Sequence, residues 1–120
     1  MRRYSIHVTT AADGTATTFT PRLSGELHSI HYEKGDFPNG VDFAITAEKT
    51  GENLWTEADV NTATARYPRA PTHGADGAPA LFAADGTAVR ARPALGNDRV
   101  KIAITQGGNV KSGTFHILVA

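Results

Sequence analysis

The sequence predicts an all-β domain: an antiparallel β-sandwich of about eight short strands with long loops, for which a jelly roll is one arrangement. Three observations predict it. Apolar residues recur with a period of two in the readable segments. Turn dipeptides separate those segments at intervals of about 8–12 residues. No segment carries a sustained apolar stripe of period 3.6.

The elements follow in chain order. Tyr4-Ser5-Ile6-His7-Val8 places Tyr4, Ile6 and Val8 on one face and Ser5 and His7 on the other. Thr15 to Thr20 and Glu26 to Glu33 are weaker strands beyond Asp13-Gly14, a pair suited to the positive φ of a tight turn. After Asn39-Gly40, the run Val41 to Glu48 alternates cleanly, with Val41, Phe43, Ile45 and Ala47 inward. Lys49-Thr50-Gly51-Glu52 reverses the chain into Asn53 to Glu57, another weak strand. A short helical turn is expected around Thr56 to Val60, with Thr56 as its cap. Ala80 to Ala84 is a last weak strand, between Asp76-Gly77 and Asp85-Gly86. Val100 to Thr105 and Thr114 to Val119 close the set, reversed by Gly107-Gly108-Asn109.

Two stretches fall outside this pattern and read as loops: Asn61 to Gly77, with Pro68 and Pro71, and Arg90 to Gly96. A structureless loop beyond about 12–15 residues in a compact domain is functional, a linker, or disordered in isolation.

At 120 residues and 12.7 kDa the chain makes one domain, residues 1–120. Its core is thin: 40% of residues are hydrophobic, and small types prevail. The absence of cysteine excludes disulfide staples, thiolate metal sites and a cysteine nucleophile. Twelve basic residues balance twelve acidic ones, so no global field favours nucleic acid or an anionic membrane. No apolar run approaches the roughly 20 residues that span a bilayer. Met1-Arg2-Arg3-Tyr4 is not followed by a signal-peptide apolar block and cleavage site, so a soluble chain made inside the cell is expected.

The charges are segregated along the chain: net +2 over residues 1–25, −6 over 26–59 and +4 over 60–120. Opposed patches suit contact between copies, with register fixed by charge. Strand shuffling that mixes them into a neutral surface is the plainer alternative.

Chemistry is sparse. His28-x-x-His31, flanked by Glu26 and Glu33, is the one cluster resembling a metal site. Positions three apart on a strand point to opposite faces, so the imidazoles converge only across a bulge, and a third ligand is missing. No metal or cofactor is expected. No serine lies in a Gly-x-Ser-x-Gly elbow, and Asp42 and Glu48 read as solvated charge on one strand face, so no catalytic residue is assigned. Trp55, Tyr32, Tyr67, Phe37 and Phe82 fall outside the clearest inward positions, where aromatic rings can anchor a partner or a sugar. Tyr67 sits in Arg66-Tyr67-Pro68-Arg69, a proline-restrained loop with two cations.

Several segments together resemble small structural proteins encoded with the head and tail genes of tailed bacteriophages. They are Ser24 to Ile30, Gly40 to Glu48, Thr50 to Glu57, Tyr67 to His73, Asn97 to Ile104, Gln106 to Asn109 and Lys111 to His116. The resemblance spans most of the chain and brings no catalytic residue with it. It implies a non-enzymatic virion protein made in the host cytoplasm, of the capsid cement or decoration type. Its partners are then the major capsid protein or other virion proteins and further copies of itself. Arg66, Arg69, Arg90 and Arg92 are expected to meet acidic surface, with Trp55 and Tyr67 as apolar anchors. Reversing Arg66 and Arg69 is expected to block incorporation and spare the fold. Two other readings are a head–tail connector or tail component assembled as a ring, and a carbohydrate-binding module using Trp55 and Tyr32.

Overall fold

Where apolar and polar residues alternate, strands form. A computed structural model describes all residues, Met1–Ala120. Eleven strands follow in order: β1 Arg2–Thr9, β2 Ala16–Phe19, β3 Leu23–Glu33, β4 Val41–Ala47, β5 Asn53–Val60, β6 Thr64–Arg66, β7 Ala70–Pro71, β8 Arg90–Ala91, β9 Ala94–Asp98, β10 Val100–Thr105 and β11 Ser112–Val119. Every pairing is antiparallel. One sheet has the order β1-β11-β3-β6, with β9 against the start of β3. The other has the order β2-β10-β4-β5.

With β7, β8 and β9 set aside, the first strand pairs the last, the second the seventh, the third the sixth and the fourth the fifth. That nesting is the jelly roll: an antiparallel sandwich of eight strands in two four-stranded sheets. The other three are short additions. β7 and β8 form a separate two-stranded ribbon, and β9 runs from the first sheet into the second through Arg99.

The core lies between the sheets. β4 and β11 alternate buried and half-buried positions without a break, and their inward Phe43 and Phe115 meet in the middle. Phe43 lies 5.1 Å from Tyr32, 4.7 Å from Trp55 and 5.2 Å from Phe115, ring centre to ring centre. It therefore joins the aromatic residues of both sheets. Tyr32, Phe37, Phe115 and the surrounding Ile and Val side chains are sealed from solvent. At about 25 cal/mol per Å² of apolar surface, this cluster is the main source of stability.

Tyr32 breaks the apolar rule. Its hydroxyl is buried and has no protein partner, and burial pushes the phenol up to about 12. The folded state thus disfavours the phenolate. This group's contribution to stability is intact below pH about 10 and is lost as pH rises from there through about 12. Tyr32→Phe removes an unsatisfied polar atom, so it should raise stability by about 1 kcal/mol and flatten that alkaline decline. Urea unfolding at neutral pH and at pH about 11 checks both effects; a destabilised variant would show that the hydroxyl makes a contact of value.

Several expectations change. The helical turn over Thr56 to Val60 is the second half of β5. It looked unlike a strand because β5 is an edge, and its polar residues face solvent. Asn61 to Gly77 is not structureless: it holds β6 and β7. Arg90 to Gly96 likewise contains β8 and the start of β9. Ala80 to Ala84 makes only the isolated bridge Leu81–Ala88.

Candidate interaction surface

The residues between β6 and β9 determine what the domain presents. From Ala70 to Ala91 the chain leaves the sandwich as an arm, and the molecule reaches 50 Å along its longest axis against 28 and 22 Å across. Backbone hydrogen bonds hold the arm together: Thr72 N–H to Val89 O, Ala80 N–H to Thr72 O, Val89 N–H to Ala80 O and Phe82 N–H to Thr87 O. Two tight turns close it, Gly74 to Ala78 and Ala83 to Gly86. Asp76 and Asp85 serve these turns: Asp76 accepts the Ala78 N–H at 3.0 Å, and Asp85 adopts a positive φ of 60°.

The arm has no core of its own. Leu81 is 42% exposed and Phe82 76%, and Tyr67, at the root, 57%. Large apolar side chains held out on an ordered ribbon are unfavourable in an isolated domain and useful at an interface. In the sequence Phe82 stands only among the aromatic rings outside the inward positions, and Leu81 is not singled out at all. Their sequence signal is two large apolar residues set among alanines between two Asp-Gly turns.

The expected interface residues divide. Tyr67, Arg69, Arg90 and Arg92 cluster at the arm's root. Pro71 pairs Arg90 and Ala70 pairs Ala91, so continuing the ladder sets Arg69 level with Arg92. Arg69 donates to the carbonyls of Pro68 at 2.6 Å and His28 at 3.2 Å, which fixes it against β3. None of these three arginines has a carboxylate partner.

Trp55 is a correction, and Arg66 stands apart from the other three arginines. Trp55 is 5% exposed and packs edge-on to Phe43, and its indole N–H donates to Glu57 Oε1 at 3.0 Å. The guanidinium of Arg66 lies 5.4 Å from the Trp55 ring centre and grips Glu57 with Nε–Oε1 at 3.1 Å and Nη2–Oε2 at 3.0 Å. The trio clasps β5 of one sheet to β6 of the other. Trp55 is thus an internal brace, and Arg66 is already paired. Tyr32 is likewise sealed, so the sugar platform of Trp55 and Tyr32 is not presented.

Arg66→Glu therefore acts on the fold as well. It sets a carboxylate against Glu57 and strips the cation from Trp55, for a loss of about 1–2 kcal/mol given the pair's partial exposure. Chemical unfolding followed by Trp55 fluorescence reads it. An unchanged midpoint would show that the clasp contributes nothing.

Elsewhere, charges from distant segments do mix. Arg99 donates to Glu48 at 2.9 Å and stacks 4.2 Å from the Phe19 ring centre, and this guanidinium holds the Glu48 carboxyl below its ordinary range. Asp42 accepts the Asp59 N–H at 2.8 Å and the Gln106 side-chain amide at 3.2 Å, with no cation beside it. These carboxylates do not converge on a shared point.

The histidines meet the bulge that their convergence requires. β3 carries a bulge: Leu118 pairs Ser29, but Val119 pairs Leu27, so His28 is the extra residue. The bulge turns His28 to the same face as His31, contrary to the opposite faces expected of a regular strand. Both rings meet Tyr67 edge-on, at 5.9 and 6.4 Å. His116, opposite His31 on β11, bonds Ser5 Oγ through Nδ1 at 2.8 Å and Glu33 through Nε2 at 3.1 Å. No group of three or more His, Cys, Asp or Glu side chains has the geometry to hold a metal ion. The largest concavity, about 400 Å³ and open to solvent, lies on this face between Arg3, His31, Glu33, Thr64 and His116.

No helix is long and apolar enough to cross a membrane. Compared with models of known protein families, with curated proteins and with solved structures, the chain finds no match.

Proposed function

We propose that the chain is a non-enzymatic virion structural protein of a tailed bacteriophage, a capsid cement or decoration subunit that strengthens the head through many modest contacts. The observation that carries this reading is the arm. A filled jelly-roll body holds out a hydrogen-bonded ribbon with Phe82 and Leu81 exposed on it and three uncompensated arginines at its root. Such an arm suits an apolar pocket with an acidic rim on the major capsid protein. Tyr67, Arg69, Arg90 and Arg92 would meet the rim, while Phe82 fills the pocket.

The energetics favour repetition. Holding an arm ready before contact reduces the ordering cost, roughly 1–2 kcal/mol per residue, that a disordered loop would meet on binding. Many copies on one shell then add rigidity even where each contact is weak. Jelly rolls serve viral capsids, but also lectins and cupins, so the argument rests on the surface and not on the fold.

The test is reconstitution. Phage heads freed of the chain are incubated with purified protein or with a variant in which residues 72–89 are replaced by a two-residue turn. Saturable binding at hundreds of sites, with heat-stabilised heads and no binding by the shortened variant, is the expected result. Saturation at about a dozen copies at one vertex would favour the ring reading. Full binding by the armless variant would overturn the arm's role.

A further inference from the structure

The outer face of the β1-β11-β3-β6 sheet concentrates histidine. Four of the chain's five histidines lie there: His7 on β1, His116 on β11, and His28 and His31 on β3. The cross-strand register sets Ser5, His116 and His31 in one row and His7, Thr114 and Glu33 in the next. The ionisable neighbours of this cluster are Arg3 from β1, Glu33 from β3, and Tyr67 and Arg69 beyond β6. Glu33 is engaged by His116, while Arg3 and Arg69 have no carboxylate partner. The face is therefore cationic, and becomes more so as its imidazoles take up protons.

The opposite charge sits on the other sheet. Along β4, β5 and the turn between them, Asp42, Glu52 and Asp59 are carboxylates with no cationic partner, against the single unpaired cation Lys49, so the edge is net acidic. A bulge in β5 presents Asp59: Val41 pairs Val60 and Phe43 pairs Glu57, which sets Ala58 and Asp59 opposite the single Asp42, one residue too many on an open edge. The two patches lie on different sheets of one sandwich, so a chain's own acidic edge does not cover its own histidine face.

We infer that the histidine face docks the acidic β4–β5 edge of a second copy, and that this contact tightens as pH falls through the histidine range. Histidine changes charge between about pH 5 and 8, whereas carboxylates stay ionised over most of that span. Acidification thus strengthens one patch and spares its complement. The prediction has an unusual sign. The whole chain is neutral at pH 7 and gains up to five positive charges on acidification, so general self-repulsion would drive copies apart. Tighter association in acid comes only from local complementarity. The contact shares Tyr67 and Arg69 with the arm's root but does not use Leu81 and Phe82, which stay free for the shell.

Sedimentation velocity on the full chain at about pH 5.5 and 7.5, in low salt, tests it. Self-association about tenfold tighter at the lower pH, lost in about 0.5 M salt, is expected. His31→Gln with His116→Gln should weaken the pH dependence, and adding His7→Gln and His28→Gln should remove it. Glu52→Gln with Asp59→Asn, at a half-buried and an exposed position outside the apolar core, should weaken association at both pH values. A monomer under all conditions overturns the inference, as does association that loosens in acid. Association in acid that ignores Glu52 and Asp59 overturns the proposed partner surface. None of these outcomes bears on head binding through the arm, which reconstitution reads separately.

Discussion

Phe82→Asp should cut binding to chain-free phage heads by about 30-fold or more and leave thermal stability unchanged. The argument for the loss is burial: an aromatic anchor seated in a desolvated pocket contributes about 2 kcal/mol or more, and a carboxylate there would be stranded. Stability should hold because Phe82 is 76% exposed, so the fold gains little from its packing. The new charge also joins Asp85 and Asp76 on the same arm, which repels an acidic partner. Co-sedimentation with heads, beside a melting curve of the free protein, separates the two readouts. Undiminished binding would remove Phe82 from the interface.

Phe43→Ala should have the opposite profile, with a severe loss of stability. Phe43 touches the rings of Tyr32, Trp55 and Phe115, so its removal opens a cavity where the two sheets meet. Truncating a buried Phe costs about 3–5 kcal/mol, a large share of the roughly 5–15 kcal/mol that holds a domain together. Urea unfolding followed by Trp55 emission gives the measure directly, since the chain's single tryptophan packs against Phe43. A loss below about 1 kcal/mol would mean that the sheets close over the gap.

The contrast shows which parts of the molecule were legible in the sequence. Val41 to Ala47, Val100 to Thr105 and Thr114 to Val119 are central strands buried on one face only, so alternation is unbroken and the register is explicit. Legibility fails at bulges. In β5, Ile45 pairs Trp55 while Thr46 pairs Asn53, so Leu54 is an extra residue, and Leu54 and Trp55 are buried in succession. A strict period of two therefore hides the inward register of Trp55. The bulge at His28 conceals the histidine face in the same way. β6 escapes because Thr64-Ala65-Arg66 offers no apolar signal: its place is fixed by pairing to β3 and by the Arg66–Glu57 clasp.

The candidate surface was legible in part. Tyr67, Arg69, Arg90 and Arg92 are adjacent at the arm's root because β7 and β8 pair, though neither strand carries a pattern of its own. Arg66 and Trp55 resemble their neighbours in sequence and differ only in what folding places beside them. Phe82 lay in a weak strand candidate, outside the clear inward positions, and the two Asp-Gly turns project it from the body.

The most direct test of the structural role is the copy number of the chain in virions purified from the genome that encodes it, read by quantitative mass spectrometry against the major capsid protein. Hundreds of copies in a fixed ratio to the shell are expected. Virions that lack the chain would contradict that role.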